Sequence, residues 1–201
     1  VYITSSLLII VTIFSIAKGK KLTSLQKGIA FWLVAITVII TTIFVVGSTI
    51  YLNAVSPTHG PVHWHADFTI EICGKDIEIA DPTGIFNRIG SAALHEHNDM
   101  RIHVEGTPPS LESIDLNSFF DALGGTFTDS RLSVPTTNGL ITVNNGDLCN
   151  GNPGKLLLFV ESQEGMQRIW SIEPEMGEYI IAPYSNVPPG NRLKIVFTEH
   201  D

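Results

Sequence analysis

The first quarter of the chain is apolar almost without interruption. Residues 1–17 carry no charge, and residues 29–52 form a second uncharged stretch of 24 residues. At ~1.5 Å rise per residue, the second stretch makes a helix of ~36 Å, enough to cross a hydrocarbon core of ~30 Å with some tilt. The first stretch is at the short limit for a span. The pattern predicts two transmembrane helices within residues 1–54.

Signal peptides and buried core helices also contain apolar stretches. The apolar region of a signal peptide has about 7–15 residues, so the second stretch is too long for one. A core helix needs a polar face, whereas residues 31–46 offer only threonines, whose hydroxyls can bond back to helix carbonyls. We therefore favour the transmembrane interpretation.

The segment between the two stretches contains four lysines and no acidic residue. Lys and Arg accumulate in short loops on the cytoplasmic side of a membrane. We therefore expect a hairpin in the cell membrane, with both of its ends and the rest of the chain outside the cytoplasm. Pro57, Gly60 and Pro61 prevent helix continuation, so residues 55–62 predict a short linker.

After the linker the hydrophobic period changes to two. Residues 63–72 alternate between an apolar and a polar face, which predicts a half-buried strand. Residues 73–76 predict a hairpin turn, with Ile77 and Ile79 on the returning strand. Residues 94–105 contain a similar alternation and predict another strand. The polar face of the first strand carries His63, His65, Asp67, Thr69 and Glu71.

One helix is predicted in this second part of the chain. Asp115 is a suitable N-cap, and Gly124-Gly125 provides the stop. Between them, apolar residues recur at helical spacing and predict a face that packs on a sheet. These residues are Leu116, Phe119, Phe120 and Leu123.

The remaining sequence predicts short strands separated by turns. The strands are predicted at residues 132–134, 140–143, 156–161, 168–172, 179–182 and 193–198. The turns are predicted at residues 144–147, 153–154 and 188–190. The expected fold class is α+β, with a transmembrane hairpin (1–54), a linker (55–62) and a mainly antiparallel β domain with one helix (63–201).

Charge is distributed unevenly between the two parts. Of 12 basic and 20 acidic residues, the first 54 residues contain four lysines and no acid, which leaves 8 basic and 20 acidic residues after them. The second part therefore has a net charge of about −12. This argues against a nucleic-acid partner, which needs clustered Lys and Arg, and suits a domain that attracts cations.

Five of the seven histidines lie within the 41 positions from 63 to 103. They form two H-x-H pairs and a single histidine, and strand residues two apart point the same way, ~6.6 Å apart. Imidazoles so placed can converge on one ion of zinc, copper, nickel or iron, whereas calcium and magnesium prefer oxygen ligands. The predicted ligands of a copper or zinc ion are His63, His65, His95, His97 and His103.

Three acids lie close to these histidines in the sequence. Asp67, Asp99 and Glu105 are expected to orient the imidazoles rather than to bind the metal. His59, in the linker, and His200, at the end of the chain, are weaker candidates for ligands. A single histidine on a strand is more often a polar surface residue, so the case for a metal rests on the cluster.

The number of ligands separates three possible roles. Three histidines with an open position would suit catalysis, with Asp67 or Glu105 as a general base, and four or more would suit structure or storage. In the third role the histidines contribute only hydrogen bonds or pH sensitivity. The sequence lacks C-x-x-C, G-x-S-x-G, H-E-x-x-H and phosphate-loop motifs, and no residue stands out as a nucleophile.

The chain contains two cysteines, Cys73 and Cys149. Both fall outside the cytoplasm in the topology inferred above, where disulfides form and persist. A disulfide between them is the preferred interpretation, and two unpaired thiols are the alternative.

Four segments carry a resemblance to a known group of proteins: HWHADFTIEICGKDIEI, LHEHNDMRIHVEG, DLNSFFDALGG and PPGNRLKIVF. They resemble a widespread, uncharacterised family of membrane-anchored, His-rich extracytoplasmic domains of bacteria and archaea. The resemblance is good over residues 61–125 and loose elsewhere, and versions with two spans look like membrane proteins of ammonia-oxidising archaea. This chain departs from the family in its longer tail and in the cysteine of its hairpin turn. The family implies a metal-type site at His63, His65, His95, His97 and His103.

Together, the residues and the resemblance lead to one expected function. We expect a membrane-tethered, extracytoplasmic copper- or zinc-binding module, and we favour an accessory subunit over an enzyme. The resemblance implies a membrane complex such as a copper-dependent oxidase or monooxygenase. The expected partners are membrane lipid and other membrane protein subunits.

Overall fold

The computed structural model describes residues 2–83, 85, 87–164, 167–181 and 191–199. The chain divides into two compact units, residues 1–54 and 55–201. The predicted turn at 188–190, the last residue of the strand predicted at 179–182, and His200 lie outside the described residues.

Two apolar helices make up the N-terminal unit. Helix α1 covers Tyr2–Lys18 and α2 covers Ser24–Val55, with a 3₁₀ turn at Gly19–Lys21 between them. A capping box begins α2, because the Thr23 N–H donates to Gln26 Oε1 and the Gln26 N–H donates to Thr23 Oγ1.

Most apolar side chains of α2 are exposed. With 32 residues, α2 is long and apolar enough to cross a membrane. Helix α1 is also apolar but has 17 residues, fewer than a full span. The described residues therefore contain one helix that meets the requirement, and the predicted pair of spans is not confirmed.

The second unit is built on β-strands. In chain order they are β1 (Val62–Ile72), β2 (Lys75–Ile77), β3 (Ile89–Gly90), β4 (Leu94–Glu96), β5 (Arg101–Gly106), β6 (Thr126–Thr128), β7 (Arg131–Thr136), β8 (Gly139–Asn144), β9 (Leu148–Cys149), β10 (Asn152–Glu164), β11 (Gln167–Glu173) and β12 (Asn191–Glu199). A nine-stranded sheet has the order β11-β10-β12-β1-β5-β4-β3, with β2 paired to β1 and β9 paired to β10. Strands β6, β7 and β8 form a second sheet.

Strand β1 lies in the middle of the large sheet. It runs parallel to β12 and antiparallel to β5 and β2, and the other described strand pairs are antiparallel. The prediction of an α+β fold with a mainly antiparallel sheet is therefore confirmed. The alternation of β1 is also confirmed, since Ala66, Phe68 and Ile70 are buried.

The helix predicted in the second part of the chain is α3, Leu116–Ala122. Asp115 caps it by accepting from the Ser118 N–H at 2.7 Å. Its apolar face packs on the apolar face of β1, where the rings of Phe68 and Phe119 meet edge to face with centroids 5.7 Å apart. The helix therefore covers one face of the sheet, and the polar residues of β1 project from the other face.

Four local predictions differ from the structure. The returning strand predicted to carry Ile77 and Ile79 is β2, which begins within the predicted turn at Lys75 and ends at Ile77, so Ile79 lies outside it. The stretch predicted as one strand over 94–105 is a hairpin of β4 and β5, with Asn98 and Met100 at positive φ in its turn. The turn predicted at 153–154 lies inside β10, where Gly154 leaves room for the Phe197 ring. Of the strand predicted at 179–182, the described part contributes one isolated bridge, between Ile180 and Asp115.

Cys73 and Cys149 form the predicted disulfide, with 2.18 Å between the Sγ atoms. It joins the turn between β1 and β2 to β9. The Cys73 N–H also donates to the Phe197 carbonyl at 2.8 Å, so the turn is attached to β12 as well. These links stabilise the end of β1 that is distant from the histidines.

Candidate metal centre

Three adjacent strands bring the histidines together. His65 on β1 lies directly opposite His103 on β5, and His103 lies directly opposite His95 on β4. Opposed residues of an antiparallel pair project from the same face of a sheet. His65, His103 and His95 therefore form a row across the three strands. His63 precedes this row on β1, and His97 follows it in the β4–β5 turn.

His103 is at the centre of the cluster. Its ring centroid is 4.7 Å from that of His65, 4.8 Å from His97, 5.3 Å from His95 and 6.4 Å from His63. The two H-x-H pairs are themselves close, with centroids 4.6 Å apart for His63 and His65 and 4.8 Å apart for His95 and His97. The structure thus places all five predicted ligands in one cluster.

The cluster contains two groups of three that share His103. The outer triad is His63, His65 and His103, and the inner triad is His95, His97 and His103. In each triad one ring nitrogen per residue lies within 4.8 Å of the others. Donors that bind one tetrahedral ion at ~2.0–2.1 Å are ~3.4 Å apart, so small side-chain rotations would close either triad on an ion.

Exposure decreases from the outer to the inner triad. The His63 side chain of the outer triad is 62% exposed, whereas His95 of the inner triad is 1% exposed, and the shared His103 side chain is 13% exposed. His95 Nδ1 and His103 Nε2 are buried and have no hydrogen-bond partner. Buried polar atoms are nearly always paired, so two orphaned imidazole nitrogens in one cluster fit a bound cation.

Burial also keeps the central imidazoles neutral. It lowers the pKa of His65 and His95 below the ordinary value, and it lowers the pKa of His103 to about 4. Repulsion from neighbouring imidazoles adds to the effect, with His65 the main contributor at His103. A neutral imidazole offers a lone pair to a metal and a protonated one does not, so these rings are ready to bind at pH 7.

The turn between β4 and β5 is held by Glu96, a residue that the sequence analysis did not single out. Glu96 is buried, and its Oε1 accepts from the Asp99 N–H at 2.5 Å and from the Met100 N–H at 2.9 Å. These bonds fix the loop between His97 and His103. An acid between the two histidines of the second H-x-H pair, before a turn, is the signal that could have identified it.

His97 is oriented by a backbone group. The Asn87 carbonyl lies 2.5 Å from His97 Nδ1, and because a carbonyl only accepts, Nδ1 carries the proton. Nε2 is then free for a metal, a common arrangement for ligating histidines.

Gly90 on β3 allows this edge of the sheet to form, since a Cβ there would lie 2.5 Å from the Leu94 carbonyl oxygen.

The three predicted orienting acids have different surroundings. Glu105 Oε1 lies 3.4 Å from His63 Nε2, and Asp99 Oδ2 lies 3.7 Å from His103 Nε2. The Asp67 carboxylate instead forms an ion pair with Arg101 at 2.7 Å. Glu105 and Asp99 therefore contact the cluster, and Asp67 contributes to it only over a longer distance.

His59 belongs to neither triad and is exposed in the linker. Comparisons of the chain with protein-family models, curated proteins and solved structures found no match.

Proposed function

We propose that this protein binds one transition-metal ion in its histidine cluster and acts as a metal-binding module. The observation that carries the proposal is the convergence of five imidazoles, four on one face of the sheet and His97 in the β4–β5 turn, with two buried ring nitrogens that have no partner. Buried polar atoms without hydrogen-bond partners lower the stability of the folded protein. A cation bound between them would compensate for this loss.

Copper and zinc are the metals that suit this cluster best. All the donors in the two triads are imidazole nitrogens, which both ions bind well. The adjacent carboxylates of Glu105 and Asp99 balance part of the charge of a divalent ion. Calcium and magnesium are poor candidates because they need oxygen ligands.

In the proposed setting, α2 anchors the protein in a membrane and α1 forms a second span. The lysines between them would face the cytoplasm, which leaves the metal cluster on the opposite side. Six residues separate the end of α2 at Val55 from the start of β1 at Val62. The domain would then be tethered beside a membrane complex, as an accessory subunit of a copper-dependent oxidase or monooxygenase.

Metal analysis of the full chain tests the binding function. The protein would be purified in detergent without an affinity tag and dialysed against Zn²⁺ or Cu²⁺. At 100 times the dissociation constant, binding contributes ~2.7 kcal/mol, which raises the melting temperature by ~5–10 °C. The absence of bound metal, with a melting temperature unchanged by a chelator, would contradict the proposal.

Catalysis is the second candidate function, and the exposure of His63 favours it. An ion in the outer triad would have three protein ligands and a side open to water, the arrangement of catalytic zinc sites. Glu105, 3.4 Å from His63, could then accept a proton from bound water. An exchangeable water on the bound ion, detected by pulsed EPR of the Cu²⁺ form, separates this role from simple binding.

A further inference from the structure

We infer that the cluster is a two-position metal relay, in which one ion enters at the outer triad and moves to the inner triad, with His103 as a ligand in both. The inference rests on the proposed metal-binding function and adds to it a division of labour between the two H-x-H pairs. Among the described residues, His103 is the one ring in contact with all four other rings of the cluster.

The chemistry of His103 limits the cluster to one ion at a time. A neutral imidazole has one nitrogen with a free lone pair, and its other nitrogen carries a proton. His103 can therefore complete one triad or the other, but it cannot serve both at once while it keeps that proton. Two divalent ions in such a small cluster would also repel each other strongly.

Exposure sets the direction of movement. The outer triad includes His63, which is 62% exposed and lies 3.4 Å from the Glu105 carboxylate. An arriving hydrated cation would meet this end first and exchange its waters there. The inner triad includes His95, which is 1% exposed and has an unpartnered Nδ1, so an ion held there gains a buried ligand that the outer triad lacks. The outer triad thus suits rapid exchange, and the inner triad suits retention.

The turn supports this division of labour. Glu96 fixes the loop that follows His97, and the Asn87 carbonyl fixes the His97 ring, so His97 is held in place within the inner pair. The outer pair has an exposed carboxylate as its close neighbour, since the Glu105 side chain is 40% exposed. A rigid inner triad beside a more exposed outer one is the arrangement expected of a site that captures and then holds an ion.

Paired substitutions in the full chain, purified in detergent, test the relay with Zn²⁺ as the probe. The variants are His63→Gln/His65→Gln for the outer pair, His95→Gln/His97→Gln for the inner pair, and His103→Gln for the shared ligand. His59→Asn is the matched control, because His59 is exposed and has φ +53, a conformation that Asn tolerates. Two quantities are measured: the equilibrium affinity, and the rate of Zn²⁺ transfer to and from a chromophoric chelator.

The relay predicts one Zn²⁺ per native chain and a different defect for each variant. His103→Gln should weaken binding by at least ~100-fold, since both triads lose a ligand. The outer-pair variant should keep its affinity within ~10-fold but take up and release Zn²⁺ at least ~10-fold more slowly, because the ion must enter through a rearranged cluster. The inner-pair variant should bind at least ~10-fold more weakly and exchange rapidly. His59→Asn should behave as the native chain does.

Several results would overturn the relay and leave the binding function intact. Two Zn²⁺ ions per native chain would show two sites filled together. Equal losses of affinity in all three variants would show one site that needs all five histidines, and unchanged exchange in the outer-pair variant would remove the entry role. Because His95 is buried, far-UV circular dichroism checks the inner-pair fold, and His97→Gln alone serves as the milder second variant. No binding by the native chain would instead refute the proposed function itself.

Discussion

The single residue with most influence on this cluster is His103. It lies opposite His65 on one side and His95 on the other, and its side chain is largely buried among the other rings. No feature of the segment IHVEG distinguishes it from an ordinary strand histidine. Its importance comes from its neighbours, because both triads include it and a neutral imidazole has one free lone pair to offer.

Burial of His103 makes the stability of the metal-free protein depend on pH. Its pKa falls from 6.5 to about 4 on folding, so between these values the unfolded chain takes up a proton that the folded chain excludes. The free energy of unfolding should therefore decrease as the pH falls from 6.5 toward 4, and the loss is complete below the folded pKa. The lowered pKa values of His65 and His95 act in the same direction.

Urea denaturation of the metal-free full chain at pH 7 and pH 5 measures this dependence. The variant His103→Gln, which cannot titrate, should show a smaller loss of stability between the two pH values, and His59→Asn should show the native loss. A native-like pH dependence in His103→Gln would contradict the assignment.

A second prediction at the residue scale concerns Glu96. Its carboxylate accepts two backbone N–H groups that close the turn, so Glu96→Ala leaves both without that acceptor. We expect a loss of ~2–3 kcal/mol in the free energy of unfolding and ~10–100-fold weaker Zn²⁺ binding. Glu175→Ala, at an exposed position, is the matched control. Native-like Zn²⁺ affinity in Glu96→Ala would show that the turn does not position the histidines.

At the scale of elements, the decisive feature is the register of β1, β5 and β4. Alternation along β1 places His63 and His65 on one face, but a shift of one residue in its pairing with β5 would bring His103 to the opposite face. The register is supported by the ion pair between Asp67 and Arg101, which are also directly opposed. The elements therefore position the ligands through strand pairing rather than through loops.

Two glycines allow a test of the edge of this sheet. Gly90 and Gly106 both have positive φ, +113° and +98°, but an added Cβ meets backbone atoms at Gly90 and open space at Gly106. Gly106→Ala should therefore lower the free energy of unfolding only by the backbone strain, ~1 kcal/mol. Gly90→Ala should lower it by at least ~2–3 kcal/mol. Chemical denaturation of the two variants compares these costs. Equal losses would indicate that β3 moves away from β4 without penalty.

At the scale of the whole molecule, the second unit is stabilised by the packing of α3 on the large sheet and by a disulfide. Helix α3 covers one face of β1, and the disulfide joins the β1–β2 turn to β9. The histidine cluster lies on the opposite face from α3, so its polar groups do not interrupt the hydrophobic core. This separation allows a site of five imidazoles to coexist with a well-packed domain.

The disulfide should contribute measurably to the stability of the domain. Cys73 and Cys149 are 76 residues apart, and the chain-entropy model gives ~4.5 kcal/mol for such a loop as an upper value. We expect Cys73→Ser/Cys149→Ser to lower the free energy of unfolding by ~2–4 kcal/mol. Denaturation of the native chain with and without reductant provides the comparison. Titration of two free thiols before reduction would show that the bond does not form.

The sequence alone determined the local features of this protein. Periodicity identified the alternating strand at 63–72, the capped helix after Asp115 and the long apolar helix, because each depends on contacts between residues close in the chain. The histidine spacing also indicated a shared face for each H-x-H pair. These are properties of one element at a time, and a single sequence is enough to read them.

Only the tertiary structure decided how the elements combine. It divided the stretch at 94–105 into a hairpin, placed His103 between the two pairs, and gave Glu96 its role in the turn. It also assigned Asp67 to Arg101 and placed Gly154 against the Phe197 ring within a strand. These outcomes depend on strand order and register, which are set by contacts between residues distant in sequence, so local patterns do not encode them.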